Sequence, residues 1–239
     1  MMSREAAIRD LVMANRILAN EGIVDAYGHV SIRDPENPNR YVLSRSRSPE
    51  QIERSDILEF NLDGSPVDPE GGHPYLERFL HGAVYEKRDD VNCVIHAHTE
   101  AVLPFTITSE PLKPVIHTAS DMGLEVPLWD VRDQFGLATE QHVSDMERGR
   151  DLARSLDRNR VVLMRGHGFV STGSSLLMTV RMTIYFAMNA RVLFAARSLG
   201  NPIPLTSGEI ETRSGFDADS PAMRRSWDYW AARTGYIQP

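Results

Sequence analysis

Residues 91–100 read VNCVIHAHTE, and the rest of the chain is organised around this run. Val91, Cys93, Val94 and Ile95 make an apolar stretch of the kind that forms a buried strand. Side chains alternate between the two faces of a strand, so His96 and His98 project from the same one. Two imidazoles side by side at a strand end can grip one metal ion. The plainer reading is a pair of solvated histidines near a turn.

A third histidine sits in a similar setting. His167 follows the strand-like run VVLM at 161–164 and lies between Gly166 and Gly168. Those glycines permit a tight turn and the close approach of a ligand. Three histidines with a vacant coordination position describe a catalytic divalent site, not a closed structural one. As an alternative, His167 is a turn residue hydrogen-bonded to the backbone. Upstream, residues 73–81 read HPYLERFLH, with a helix expected over 74–87 and Pro74 in its first turn. Glu77 and His81 are then four apart on one helix face, while Leu76, Leu80 and Val84 form a stripe suited to the core. A helix running into the histidine strand brings Glu77 to the metal as a fourth ligand or an acid/base group. Otherwise Glu77 pairs with an exposed cation such as Arg78.

The 239 residues suffice for one sizeable α/β domain or two small ones. With 41% hydrophobic and 25% charged residues and no run of eighteen apolar ones, nothing reads as a membrane span. The N-terminal MMSREAAIRDL has charges of both signs and no apolar stretch of a secretory signal. The single cysteine, Cys93, excludes an internal disulfide and suits a reducing compartment, so a cytoplasmic protein is expected. A formal net charge of −7 argues against nucleic acid or an anionic membrane as partner. An anionic small-molecule substrate remains open if arginines gather in its pocket.

Apolar spacing predicts helices over 4–20, near 140–156 and over 174–199, and a short one from about 100. The helix at 174–199 is apolar around most of its circumference and should pack on more than one side. Strands are expected at 29–33, 40–43, 57–61, 91–96, near 115–117 and 125–128, and at 161–164. From 201 onward the chain turns polar and Pro-rich, with short helices expected at 207–212 and 221–232. Its aromatic cluster, Trp227, Tyr229 and Trp230, should dock on its own domain or, alternatively, on a neighbouring subunit.

Glu77-x-x-x-His81, then DDVNCVIHAHTE, then MRGHGFV, in this order and spacing, resembles the class II aldolase/adducin-domain family. The resemblance spans residues 1–200, leaving 201–239 as a C-terminal extension. It implies one three-layer α/β domain with a central, largely antiparallel sheet, assembled as a homotetramer with sites at subunit interfaces. Carried over by position, His96, His98 and His167 look like ligands of one divalent metal ion, Mn²⁺, Zn²⁺, Fe²⁺ or Co²⁺, and Glu77 like the family's acidic proton-moving residue. His81 is a second candidate for proton transfer.

The departures narrow the function. Where sugar-phosphate aldolases of the family hold phosphate through a Gly-Asn-x-Ser segment, a Ser/Thr-Gly loop and a Ser-Ser pair, this chain reads GHVS at 28–31, SRSRSPEQ at 44–51 and PYL at 74–76. Each lost donor to a buried phosphate costs roughly 1–3 kcal/mol, which argues against a phosphosugar. In their place stand His29, Arg45, Arg47 and Arg78, and arginine forks match planar carboxylates. A solvated basic loop is the alternative for Arg45 and Arg47. GHVS, SRSRSP, PLWDVRDQFG and LMRGHG look like the decarboxylase branch, whose members act on hydroxylated aromatic o-dicarboxylates or carboxy-hydroxymuconic semialdehydes in aromatic catabolism. The expected reaction is loss of CO₂ through a metal-stabilised enolate. Rival readings are an aldolase for a non-phosphorylated hydroxy-keto acid, a non-haem iron oxygenase and an adducin-like scaffold.

Overall fold

In the computed structural model, residues 3–212 and 220–237 are described. The elements run α1 (Arg4–Asn20), β1 (His29–Arg33), β2 (Arg40–Ser44), β3 (Ile57–Asn61), α2 (Arg78–Lys87), β4 (Cys93–Ala97), α3 (Leu103–Thr106) and β5 (Leu128–Trp129). They continue as α4 (Val131–Phe135), α5 (Met146–Leu156), β6 (Val161–Met164), β7 (Gly168–Gly173), α6 (Leu176–Arg197), α7 (Ser207–Glu211) and α8 (Pro221–Arg233). The strands form one sheet in the order β3-β2-β1-β4-β7-β6-β5. Every pairing is antiparallel except β5 with β6. The histidine strand β4 is therefore central, between β1 and β7.

Alternation along the strands divides the interior into two cores. Val30, Ile32, Cys93, Ile95 and Phe169 face α1, α6 and Trp230 of α8. Val94 and Val170 face the other way, toward Leu80 and Val84 of α2 and Leu152 and Leu156 of α5. The result is three layers, helices on both sides of a mostly antiparallel sheet. Helix α6 packs on β4, β7, α1 and α8, in keeping with its lack of a polar side. Cys93 is buried in the first core, where burial pushes its thiol up to about 12.

Several local expectations give way to tertiary contacts. Helix α2 begins at Arg78, not Pro74, because Pro74 bridges Arg45 in extended conformation. Glu77 consequently stands at the helix cap, and Leu76, expected in the core, is 52% exposed. No strand forms at 115–117. The Asn189 Oδ1 of α6 accepts from the Val115 and Ile116 N–H groups, satisfying a backbone that would otherwise need a strand partner. Residues 140–144 remain a loop, and α5 starts after Asp145, whose side chain caps the Arg148 N–H. Strand β7, GFVSTG, was hidden by its polar residues; the Ser171 and Thr183 hydroxyls bond one another in the interior.

In the C-terminal stretch, α8 lies on α1 and α6 of the same chain, with Met223 and Trp230 buried and the Tyr185 and Trp230 ring centroids 6.0 Å apart. Among the described residues no helix is long and apolar enough to cross a membrane.

Candidate metal centre

Antiparallel pairing of β4 with β7 sets Ala97 opposite Phe169 and His96 opposite Val170. The turn before β7 then hangs His167 across from His98. Gly166 holds this turn with φ of 62°, in the left-handed region. Gly168 is demanded by proximity: a Cβ there would lie 2.2 Å from the Ala97 carbonyl oxygen and 3.0 Å from the His98 ring. The two glycines flanking His167 thus have separate jobs, one in the turn and one in the strand contact.

Four donor atoms converge. His98 Nε2 lies 2.9 Å from His96 Nε2 and 3.0 Å from His167 Nε2. Glu77 Oε2 is 3.3 Å from His96 Nε2 and 3.5 Å from His167 Nε2. All four lie within 4.8 Å of one another. Their outer sides are anchored: His96 Nδ1 is 3.0 Å from the Phe169 carbonyl, and His167 Nδ1 is 3.0 Å from the Gln141 carbonyl. The Val143 N–H donates to Glu77 Oε1 at 3.0 Å.

Those anchors decide the chemistry. A carbonyl only accepts, so the neutral His96 and His167 rings carry their protons on Nδ1 and turn Nε2 lone pairs inward. His98 Nε2 has at most one proton to share between two such neighbours. At least one close N···N contact is therefore lone pair against lone pair, with a carboxylate added. A divalent cation resolves that conflict, and three imidazoles with one carboxylate suit several transition metals. The titration behaviour shows the same crowding. Burial, together with His96 and His167, pushes His98 down to about 3. Burial raises Glu77, but the neighbouring His96 and His167 imidazoles outweigh it and hold the carboxylate well below its usual range. Burial lowers His167, and Glu77 more than offsets that, leaving it raised.

The other expected site residues are placed differently. His81 does not share the direction of Glu77, because Glu77 precedes the first helical turn. Its ring is fully buried behind His29, with Nε2 2.6 Å from His29 Nδ1 and Nδ1 2.6 Å from Ser31 Oγ. Burial, helped by His96, brings it down to about 3, so both its nitrogens serve protein partners as a neutral ring. His29 lies between Tyr75 and His96, at ring separations of 4.6 and 5.1 Å. Arg45 and Arg47 both pair with the buried Asp56, at 2.6 and 2.7 Å, and both remain partly exposed. Two cations share one carboxylate, so this trio carries one positive charge in surplus, and the Tyr75 hydroxyl ties the loop down by donating to the Arg47 carbonyl. Arg78 donates to the Gly64 and Tyr75 carbonyls and lies 4.1 Å over the Phe79 ring. Among the described contacts it braces the approach to α2 and reaches no ligand atom of the centre.

Sequence reasoning missed the backbone groups of Gln141 and Val143, and His142, whose ring lies 5.8 Å from His167. Carbonyls and N–H groups of a loop carry no sequence signal. It also missed Ser31 and Tyr85, which were legible as the i+2 partner of His29 on a strand and the i+4 partner of His81 on a helix.

The model of the class II aldolase and adducin N-terminal domain matches residues 9–194. The chain belongs to that family. It is 32% identical to a protein named decarboxylase tropJ from Talaromyces stipitatus, over 93% of this chain and 92% of that protein. It is 29% identical to a 3,4-dihydroxyphthalate decarboxylase from Arthrobacter keyseri, over 77% and 75% of the two chains. The crystal structure of an aldolase II superfamily protein from Pseudomonas syringae superposes with a TM-score of 0.80 at 21% identity, covering 98% of this chain and 94% of that one. That last likeness establishes the class II aldolase fold. The two decarboxylases set the chain beside the decarboxylase branch, and family and relatives together support a lyase.

Proposed function

We propose that this chain is a metal-dependent carboxy-lyase acting on a hydroxylated aromatic o-dicarboxylate, with a carboxy-hydroxymuconic semialdehyde as the ring-opened counterpart. The observation that carries the reading is the convergence of Glu77, His96, His98 and His167 on one point, in a chain related to proteins named decarboxylases. His96, His98 and His167 hold the ion, with Glu77 as fourth ligand or proton carrier. When bound, a divalent cation supplies Lewis-acid stabilisation of the negative charge that develops on a substrate oxygen.

The chain's own residues do the rest. Loss of CO₂ leaves an electron pair on the carbon that carried the carboxylate, and one proton must reach that carbon. Glu77 Oε2 faces the centre while the Val143 N–H fixes Oε1, so the carboxylate is aimed and does not swing. We assign it the proton movement at Oε2. The surplus cation of the Arg45/Arg47 loop is assigned to the substrate carboxylate that stays, with Tyr75 linking that loop to His29. Arg78 steadies the same loop through the Tyr75 carbonyl.

A homotetramer in the cytoplasm, serving aromatic catabolism, completes the reading. Support comes from the exposed Met188, Val192 and Phe194 on α6, which a partner would cover, and from a single buried thiol. The test is a CO₂-release assay on 3,4-dihydroxyphthalate with the metal content of the same sample measured. Release of CO₂ that tracks metal content supports the carboxy-lyase. Release of an aldehyde from a hydroxy-keto acid without CO₂ would replace it by the aldolase.

A further inference from the structure

Behind the centre lies a second set of polar side chains. On β1, His29 and Ser31 share the face that looks at α2, and on α2 His81 and Tyr85 stand one turn apart on the face that looks back. They form an unbranched chain. Tyr85 Oη is 2.8 Å from Ser31 Oγ, Ser31 Oγ is 2.6 Å from His81 Nδ1, and His81 Nε2 is 2.6 Å from His29 Nδ1. Ser31, His81 and Tyr85 are fully buried, and His29 is 3% exposed.

Only one direction satisfies every hydrogen. Ser31 is the hydrogen-bond partner of the Tyr85 hydroxyl among the described residues. If Ser31 donated to Tyr85, the phenol hydrogen would have no acceptor in the interior. If Tyr85 and His81 both donated to Ser31, the serine hydrogen would have none. Tyr85 therefore donates to Ser31, and Ser31 to His81 Nδ1. His81, neutral in its buried setting, keeps its proton on Nε2 and gives it to His29 Nδ1. His29 must then carry its own proton on Nε2. That nitrogen has no protein partner among the described residues, nor is it among the polar atoms sealed without one. Because the chain ends at a buried phenol, it has no exit to bulk water and cannot act as a proton conduit.

We propose that Tyr85, Ser31 and His81 are positioning residues that lock His29 as its Nε2–H tautomer, and that this N–H is a directed donor to an anionic substrate oxygen beside the metal centre. The second half rests on the carboxy-lyase reading; the first does not. The two rings at β1 and β4 are 5.1 Å apart, so a substrate oxygen at the centre is within reach of His29. A neutral donor there also discriminates: it binds an oxygen anion without adding a second cation next to the metal.

The test uses the full chain, Zn²⁺-loaded to remain diamagnetic, with ¹⁵N-labelled histidine. The His29 signals are assigned by their loss in His29→Asn. Two-bond ¹⁵N–¹H correlations should show Nε2 protonated and Nδ1 bare, and a wild-type ring protonated on Nδ1 overturns the lock outright. Ser31→Ala removes the hydroxyl that holds His81 Nδ1 as an acceptor, so the His29 tautomers should mix, whereas Ser31→Thr, which keeps the hydroxyl, should retain a single one. A Ser31→Ala spectrum with the tautomer unchanged also overturns the lock. For the donor half, KM for 3,4-dihydroxyphthalate in Ser31→Ala should rise by the inverse of the remaining Nε2–H fraction, about twofold for an even mixture, with kcat held. Mixed tautomers with an unaltered KM overturn the donor role. Absence of CO₂ release by wild type removes the carboxy-lyase reading and the donor role with it, while the spectrum still decides the lock.

Discussion

The two histidine groups, one at the end of β4 and one between β1 and α2, use the same side chain in opposite senses. In the first, backbone carbonyls occupy Nδ1 of His96 and His167 and turn bare Nε2 atoms toward a common point. In the second, a hydroxyl occupies Nδ1 of His81, and a protonated Nε2 is passed down the line to His29. Imidazole itself prefers neither role. What touches Nδ1 suits one ring to ligate a metal and another to donate a hydrogen bond.

The sharpest way to break this contrast is to remove one ring from each group. His96→Ala, His98→Ala or His167→Ala should bring bound metal from one ion per chain to near zero and abolish turnover. His81→Ala should keep the ion. Elemental analysis after gel filtration reads both, and loss of metal in the His81 variant would merge the groups into one.

Glu77→Gln comes next, since it keeps size but removes the ionisable group. With metal retained, kcat should fall about 10²–10⁴-fold, the usual contribution of an acid/base group. Turnover at the wild-type rate would move the proton role off this residue.

Gly168→Ala tests whether the close strand contact positions the first group. The added Cβ would meet the Ala97 carbonyl at 2.2 Å and the His98 ring at 3.0 Å. A cost of about 2–4 kcal/mol is expected from such overpacking, with weakened metal binding, both measured by denaturant titration with and without metal. A variant as stable as wild type would show that β7 gives way freely.

Acid should act through the buried histidines, and His81 carries one share of the effect beside His98. The His81 ring ionises near 6.5 when unfolded and only near 3 when folded, chiefly through burial. Between those values the unfolded chain binds more protons, so stability is fully present above about 6.5 and declines as the pH falls. Metal-free protein should lose about 2–3 kcal/mol between pH 7 and 4.5 from this group, and His81→Gln should flatten the decline. Urea midpoints at the two pH values decide it. The smallest effect belongs to the arginine loop: Arg45→Ala or Arg47→Ala should raise KM about 3- to 10-fold, because Asp56 already takes part of the charge. An unchanged KM in both would assign the loop to solvent.

The sheet and the cluster of Glu77 with the three histidines were legible for different reasons. Strands 29–33, 57–61 and 161–164 and the helix at 4–20 are local apolar patterns, and the structure keeps them. The histidine pair was readable because strand period fixes which side chains share a face. The start of α2 was not readable, because a β-bridge between Pro74 and Arg45 competes with helix propensity and wins. The direction of His81 followed from that shift. A helix begun at Pro74 puts Glu77 and His81 together, whereas one begun at Arg78 sends them to different neighbours.

Metal content measured beside CO₂ release, in one sample taken through chelation and reconstitution, tests the central claim most directly. One ion per chain should be present, activity should vanish as the chelator removes it, and both should return together on adding a divalent metal. Full CO₂ release from metal-free protein would contradict the assignment of Glu77, His96, His98 and His167 as the reaction centre.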